Sequence, residues 1–249
     1  MMKNILLMGF LWLGTFMASY GQSAKEIVQK MDDNAFGGRI TSSMKMTIVR
    51  PTWSRTMEFK SWADGADYSL ILITAPAREK GITYLKREKE MWNFQPSIDR
   101  TIKMPPSMMM QSWMGSDFKN DDLVRQSSIV NDYQHELLGK ETIEGRECYK
   151  IEMIPNEEAP VVWGKVIVWI DAKDYLNLKT EHYDEDGELV DTNYGQNIKK
   201  IGGRLLPAKM VLIPADEEGH KTILEYTSLE FDSKFDDRFF STQNMKRVR

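Results

Sequence analysis

Several features that mark particular classes of protein are scarce in this sequence. Cysteine is almost absent, because the 249 residues include only Cys148, so no disulfide can form within the chain and a packed core must hold the fold. Basic residues are not in excess: 33 Lys and Arg stand against 37 Asp and Glu, which gives a formal net charge of −4 at pH 7. Nucleic-acid-binding proteins need a basic face, so we predict that nucleic acid is not a partner.

Recognisable catalytic and cofactor motifs are missing as well. The three histidines, His135, His182 and His220, are far apart and share no metal-ligand spacing. The sequence has no nucleophile-elbow serine, no phosphate-binding glycine loop and no paired-cysteine motif. We therefore predict that the protein is not an enzyme, that it has no catalytic residues, and that it takes no metal and no cofactor.

A long apolar run occurs only near the N-terminus. Residues 5–17, ILLMGFLWLGTFM, follow Lys3 and lead into small polar residues, where Ser19 and Gly21 suit a signal-peptidase site. The run is too short for the roughly 30 Å hydrocarbon core of a bilayer, so it predicts a secretory signal peptide over residues 1–21. An uncleaved anchor is the alternative. No cysteine lies near the cleavage point, so we expect no lipid anchor.

The remaining residues, 22–249, have the pattern of a single, mainly β domain. The spacing of apolar residues in SAKEIVQKMDDNAF predicts one amphipathic helix that ends at Gly37 and Gly38. Alternating segments follow, with strong hairpin-turn signals at Asp64-Gly65 and Asp186-Gly187. About ten or eleven strands joined by short polar turns are typical of an antiparallel meander.

Residues 96–134 interrupt this pattern with a long, irregular connection. It holds an apolar segment that we call the flap, residues 108–118, beside Pro105 and Pro106. Methionine is flexible and polarizable, so it can repack around variable apolar ligands. The alternative is that these side chains complete an ordinary core. In an irregular connection interrupted by prolines, a run of apolar residues is unexpected unless it covers a cavity or a binding surface. This argument favours the flap over an ordinary core.

The aspartates that follow the flap allow two interpretations. Asp117, Asp121 and Asp122 could hold a hard cation or act as an acid–base pair in a lipid hydrolase. The more economical prediction is a helix start, in which Ser116 or Asp117 caps the helix and Asp122 lies in its first turn. Calcium-loop spacing is absent, so we expect Ser116, Asp117 and Asp122 to be structural.

The region from Met91 to Leu123 resembles a known family. Met91-Trp92 and Pro96, then Arg100 ahead of a short strand, then GSDF and a downstream DDL resemble the outer membrane lipoprotein-sorting proteins, which are periplasmic relatives of the LolA and LolB carriers. The family commonly has SYEDL where this chain has KNDDL. The terminal FDDRFFSTQNM is also similar to the family's ending.

This resemblance implies an open, incomplete antiparallel β-barrel of about eleven strands, curved around an apolar cavity and lidded by helices; the strand count agrees with it. The flap would then line or cover a cavity for acyl chains, and each methylene buried there contributes about 0.8 kcal/mol. Trp92 and Phe94 are candidates for the cavity wall. The predicted lipid-binding residues are Trp92, Phe94, Met108, Met109, Met110, Trp113, Met114 and Phe118.

The function that follows from the resemblance is that of a periplasmic carrier or chaperone, which shields acyl chains in outer-membrane lipoprotein sorting or lipid transport. The implied partners are a lipid or an acylated lipoprotein, with an inner-membrane transporter as a further partner, and we expect a monomer. The alternative is a ligand-sensing or protein-interaction module of the cell envelope without transport activity.

Overall fold

A computed structural model describes residues 22–124, 128–157, 159 and 161–248. The predicted signal peptide, residues 1–21, lies outside the described residues.

Three helices are present in this part of the chain: α1 (Ala24–Phe36), α2 (Asn120–Val124) and α3 (Thr242–Met245). α1 is the helix that the sequence predicts. Ser23 caps it, since its hydroxyl accepts a hydrogen bond from the Glu26 backbone N–H and the Glu26 carboxylate accepts one from that of Ser23. Ile27, Val28 and other apolar residues form its buried face. Short 3-10 turns occur at Pro96–Ile98, Pro106–Met108, Trp113–Gly115 and Asp237–Phe239.

Thirteen strands form one antiparallel sheet, in the spatial order β6-β5-β4-β3-β2-β1-β13-β12-β11-β10-β9-β8-β7. The strands are β1 (Arg39–Arg50), β2 (Trp53–Asp64), β3 (Tyr68–Ala75), β4 (Thr83–Arg87), β5 (Glu90–Gln95), β6 (Arg100–Met104), β7 (Tyr133–Ile143), β8 (Arg146–Pro155), β9 (Lys165–Asp171), β10 (Asn177–Tyr183), β11 (Leu189–Ile201), β12 (Arg204–Pro214) and β13 (Lys221–Phe231). Two meanders, β1–β6 and β7–β13, therefore join where β1 pairs with β13.

The sheet is open, because its edge strands β6 and β7 do not pair with each other. The connection between them, residues 105–132, carries the flap and α2 from one edge to the other. The predicted open, incomplete barrel is confirmed. The strand count is thirteen rather than about eleven, since the alternation pattern from which the strands were counted does not extend to the edge strands β6 and β7.

Both faces of the sheet are covered at β3, which explains why this strand is a continuous apolar run. Ile71 and Ile73 face the cluster that includes the flap, while Leu70 and Leu72 face the C-terminal residues. We call the face that packs against α1 and the flap the inner face, and the opposite one the outer face. Side chains alternate along a strand, so parity assigns residues to the two faces except where a bulge shifts the register, as it does where β1 pairs with β13.

Candidate functional site

The inner face encloses a cavity of about 280 Å³ that lies between the sheet, the end of α1 and the residues around α2. Most of its lining is apolar, as a site for an apolar ligand requires. The apolar part includes Met44, Phe118, Met153, Val166, Met210 and Leu224.

One side of the cavity is polar. The polar lining residues include Asp122, Tyr133, Asn177, Thr180, His182 and Asn193. Asn177 and Thr180 bond each other through their side chains, with Nδ2 of Asn177 2.9 Å from Oγ1 of Thr180, so that pair is satisfied. The Asn193 Oδ1 atom is buried and has no hydrogen-bond partner among the described residues, which leaves an acceptor beside the cavity.

His182 is the most constrained of these polar side chains. Its Nδ1 atom donates to Oδ1 of Asp191 at 2.6 Å, and its ring stacks on Trp163 with 4.5 Å between centroids. Burial opposes the charged imidazole, but the negative charge of Asp191, its hydrogen bond and the nearby Asp122 outweigh that cost and raise the pKa of His182. The hydrogen bond to Asp191 therefore favours the charged form of the imidazole.

Asp122 lies in the first turn of α2, and its Oδ2 atom accepts the backbone N–H of Lys119 at 2.7 Å. Burial raises its pKa to about 6, against partial opposition from the charge of His182 and from that hydrogen bond. Burial, followed by the charges of Asp121 and Asp122, also raises the pKa of the Tyr133 hydroxyl. The polar side of the cavity therefore combines a carboxyl group and an imidazole whose pKa values are both raised.

The raised pKa of Asp122 predicts a measurable pH dependence. The folded protein binds the proton at a higher pH than the unfolded chain, so this group's stabilisation is complete below its ordinary pKa of 3.8 and is lost as the pH rises through 6. Between pH 4 and pH 7 the wild type should therefore lose about 2–3 kcal/mol of its free energy of unfolding through this group. Asp122→Asn has no carboxyl group here and should not show that loss. The raised pKa of His182 acts in the same direction, because the stabilisation that it gives the wild type is also lost as the pH rises through the pKa of the folded protein.

Urea denaturation at both pH values checks this prediction. Asp186→Asn is the matched control, because Asp186 is an exposed acid in the β10–β11 turn. A stability difference between Asp122→Asn and the wild type that does not change with pH would contradict it.

The flap is mostly buried against the inner face. Met109 and Trp113 are 2% and 0% exposed, whereas Met110 is 56% exposed. The Trp113 ring meets Phe59 at 5.4 Å and Tyr84 at 5.6 Å between centroids. Met108 and Met114 are half-buried at the margin of the same cluster. Phe118 is the one predicted flap residue among the described lining of the cavity. Met108, Met109, Trp113 and Met114 pack in the neighbouring cluster on the inner face, whereas Met110 points away from it.

Trp92 and Phe94 lie elsewhere. Both face the outer side of β5, where they pack with Phe240 and Met245 of the C-terminal segment. Met91, next to them in sequence, faces the flap cluster instead. The expectation that Trp92 and Phe94 form a cavity wall therefore does not match their position, because strand alternation turns them to the opposite face.

The flap is fastened to the sheet by a buried ion pair. Asp117 receives both guanidinium nitrogens of Arg50, at 2.8 and 3.1 Å, and the two side chains are only 5% and 12% exposed. Thr222 of β13 adds a hydrogen bond from its hydroxyl to Asp117 at 2.6 Å. Arg55 of β2 also donates to the backbone carbonyl of Met114. Three strands thus hold residues 114–117.

These contacts correct the predicted helix caps. Ser116 donates its hydroxyl to the Trp113 carbonyl at 2.7 Å, and Asp117 pairs with Arg50, so neither residue caps α2. The helix begins later, at Asn120. Asp122 lies in the first turn as expected and accepts the Lys119 N–H. All three residues have structural contacts, but only Asp122 has the contact of a helix start.

One group of side chains has the spacing of metal ligands. Ligand atoms of Asp117, Glu217 and His220 lie within 4.8 Å of one another. Asp117 already carries the Arg50 guanidinium on its two oxygens, and His220 pairs with Glu217. The group lies outside the cavity lining, and its side chains are already engaged by one another and by Arg50.

No helix in the described residues combines the length and the apolar character that a membrane-spanning helix needs.

The chain is similar to a family model in sequence and to several solved structures in fold. A family model with the description "-like: Uncharacterized protein" matches residues 65–247. A crystal structure of a domain from Vibrio parahaemolyticus, assigned to outer membrane lipoprotein sorting, is 23% identical with a TM-score of 0.81 and covers 90% of this chain and 98% of that one. No curated protein matches the chain in sequence.

Two further crystal structures share the fold. A DUF1329 family protein from Desulfovibrio piger is 25% identical with a TM-score of 0.81, over 89% of this chain and 97% of that one. A LolA superfamily protein from Nitrosomonas europaea is 23% identical with a TM-score of 0.79, over 90% of this chain and all (100%) of that one. These neighbours confirm the resemblance that the residues from Met91 to Leu123 predicted.

Proposed function

We propose that this chain, which belongs to the family whose model covers residues 65–247, is a periplasmic carrier or chaperone. It shields acyl chains of a lipid or lipoprotein. The LolA-like fold of the chain supports this proposal. The cargo enters the cavity on the inner face, and the transfer serves outer-membrane lipoprotein sorting or lipid transport. The proposal includes no catalytic step.

The observation that carries this proposal is the cavity itself. It lies between the sheet and the 105–132 connection, and apolar side chains such as Met44, Met210 and Leu224 form most of its lining. Each methylene moved from water into such a lining contributes about 0.8 kcal/mol. Acyl chains can therefore bind through burial alone, with no need for matched charges.

The flap supports the proposal through its composition and its position. At about 280 Å³ the cavity lies at the lower end of the range for ligand sites, so a cargo with several acyl chains needs more room. Met108, Met109 and Met114 occupy the adjoining inner face and can repack. We propose that the flap is a movable plug, which yields its place on the sheet to the cargo.

Native mass spectrometry tests the proposal directly. The protein is purified from the periplasm without detergent, and a parallel sample is extracted with organic solvent. We expect a bound lipid or lipopeptide, whose mass gives the class of cargo. A mass equal to that of the empty chain, unchanged after exposure to phospholipid and to acylated peptide, would overturn the carrier function.

A cavity-filling variant gives a second test. Met44 lines the cavity, so Met44→Trp should occupy the space of at least two methylenes of ligand. We expect amphiphile affinity to fall about tenfold or more, since two methylenes correspond to about 1.6 kcal/mol. Met110→Trp is the matched control, because Met110 is exposed on the flap. Equal affinities for the two variants, with unchanged circular dichroism, would place the ligand elsewhere.

The proposed partners are the lipid or acylated lipoprotein and an inner-membrane transporter that supplies it. We propose that the protein acts as a monomer.

The second candidate function is a ligand-sensing or protein-interaction module. Edge strand β7 favours it, because Leu137 and Leu138 are 42% and 45% exposed there and Ile154 of the adjacent strand is 41% exposed. Capture of a protein partner by a chain with an empty cavity would support this second function.

A further inference from the structure

The polar side of the cavity presents a donor that is already oriented. Asp191 holds Nδ1 of His182, and Trp163 stacks on the ring, so the remaining nitrogen, Nε2, has a fixed direction. Among the described residues, the one hydrogen bond of the ring is that of Nδ1. Since His182 lines the cavity, its Nε2–H group is available to a ligand. Burial opposes the charged ring, but the Asp191 carboxylate raises the pKa of His182 and so favours the form that carries this proton.

Asp122 supplies an acceptor on the same side. It lines the cavity too, and its one hydrogen bond in the described chain goes to the Lys119 N–H, which leaves acceptor capacity on the carboxylate. Asp122 and His182 influence each other's pKa, but they are too far apart to form an ion pair: His182 pairs with Asp191 alone. Because both residues line the cavity, we expect one polar group of a ligand to reach both of them.

The charges around this space disfavour an anionic ligand. The described lining includes Asp121 and Asp122 but no lysine and no arginine, and Asp191 lies directly behind His182. The His182 ring is already paired with Asp191. A fatty-acid carboxylate or a phosphate would thus meet the like charge of Asp122 in a buried site, which is costly.

We propose that His182 and Asp122 form a polar subsite for the uncharged linkage of an acyl amphiphile, one that offers both a hydrogen-bond acceptor and a donor, as an amide or a glycerol ester with a free hydroxyl does. The His182 Nε2–H donates to the acceptor oxygen, and Asp122 accepts from the amide N–H or the hydroxyl. The acyl chain runs from this point into the apolar lining. This inference rests on the proposed carrier function and adds the class of ligand.

Four probes with the same twelve-carbon acyl chain test the subsite by calorimetric titration at pH 7.5. N-lauroylethanolamide and 1-monolauroylglycerol offer a donor and an acceptor, methyl laurate offers an acceptor alone, and laurate is an anion. We expect the first two to bind about tenfold to a hundredfold more tightly than the others, as one or two hydrogen bonds to charged groups should give.

Two variants assign the preference to these residues. His182→Gln keeps a donor for Asp191 but loses the Nε2–H group, and Asp122→Asn replaces the charged acceptor. Each should lower the affinity for the amide about tenfold or more and leave that for methyl laurate unchanged. His135→Gln and Asp186→Asn are the matched controls, because neither residue lines the cavity, and both should keep the preference.

The outcomes separate the two proposals. Binding of all four probes with equal affinity, or tightest binding of laurate, overturns the subsite and leaves the carrier function intact. An unchanged preference in both variants overturns the assignment to His182 and Asp122. Binding of none of the probes overturns the carrier function and the subsite together.

Discussion

Replacing Asp117 with asparagine should lower the free energy of unfolding by about 3–5 kcal/mol, as removal of one member of a buried ion pair does. The substitution leaves the Arg50 guanidinium charged and unpaired in a site where both side chains are almost fully covered. It also weakens the bond from Thr222. The flap residues around Asp117 should then detach from β1 and β13, so the variant should also bind apolar probes faster. Urea denaturation and stopped-flow fluorescence measure the two effects.

The exposed pair Arg39–Asp64 provides the control for Asp117. Its side chains are 37% and 35% exposed around a 2.9 Å contact, and exposed pairs contribute about 0–1 kcal/mol. Asp64→Asn should therefore cost no more than that. If Asp117→Asn costs as little as Asp64→Asn, the Arg50 pair does not hold the flap.

Replacing Trp113 with alanine should cost about 3–5 kcal/mol as well, because a fully buried aromatic side chain leaves a large void when it is truncated. The rings of Phe59 and Tyr84, which pack against the indole, would then border that void. Chemical denaturation measures the cost, and Met110→Ala, at an exposed position of the same segment, should cost less than about 0.5 kcal/mol.

Trp113→Phe refines this prediction. The indole Nε1–H of Trp113 is buried and has no hydrogen-bond partner among the described residues, so tryptophan carries a desolvation cost here that phenylalanine avoids. We expect Trp113→Phe to lose much less stability than Trp113→Ala. A loss as large as that of the alanine variant would mean that the indole nitrogen has a partner.

The sequence predicted the interior of the sheet better than its edges. The alternation pattern identified β1–β5 and β8–β13 but omitted β6 and β7. Both omitted strands pair with a neighbour on one side only, and most of their side chains are exposed. An edge strand has no need of a strict apolar alternation, so the pattern that marks interior strands is weak there.

The candidate site shows a different limit. Asp117 pairs with Arg50, which is 67 residues away in the sequence, and no local pattern distinguishes such a partner from a helix-cap contact. The pairing of His182 with Asp191 could have been predicted from the sequence. The turn at Asp186-Gly187 was predicted, and the register of that hairpin places the two residues directly opposite each other. The sequence alone does not mark them as a site, because burial of that pair depends on Trp163 from outside the hairpin.

The order of strands in the sheet has a mechanical consequence. β6 and β7 end the sheet at opposite sides, so they can move apart without the loss of any backbone hydrogen bond between strands. The resistance to widening comes from the 105–132 connection and from side-chain packing, while β1 and β13 remain paired along the middle. Widening the interior would therefore break side-chain contacts but no hydrogen bond between strands, whereas a closed barrel would have to break such bonds.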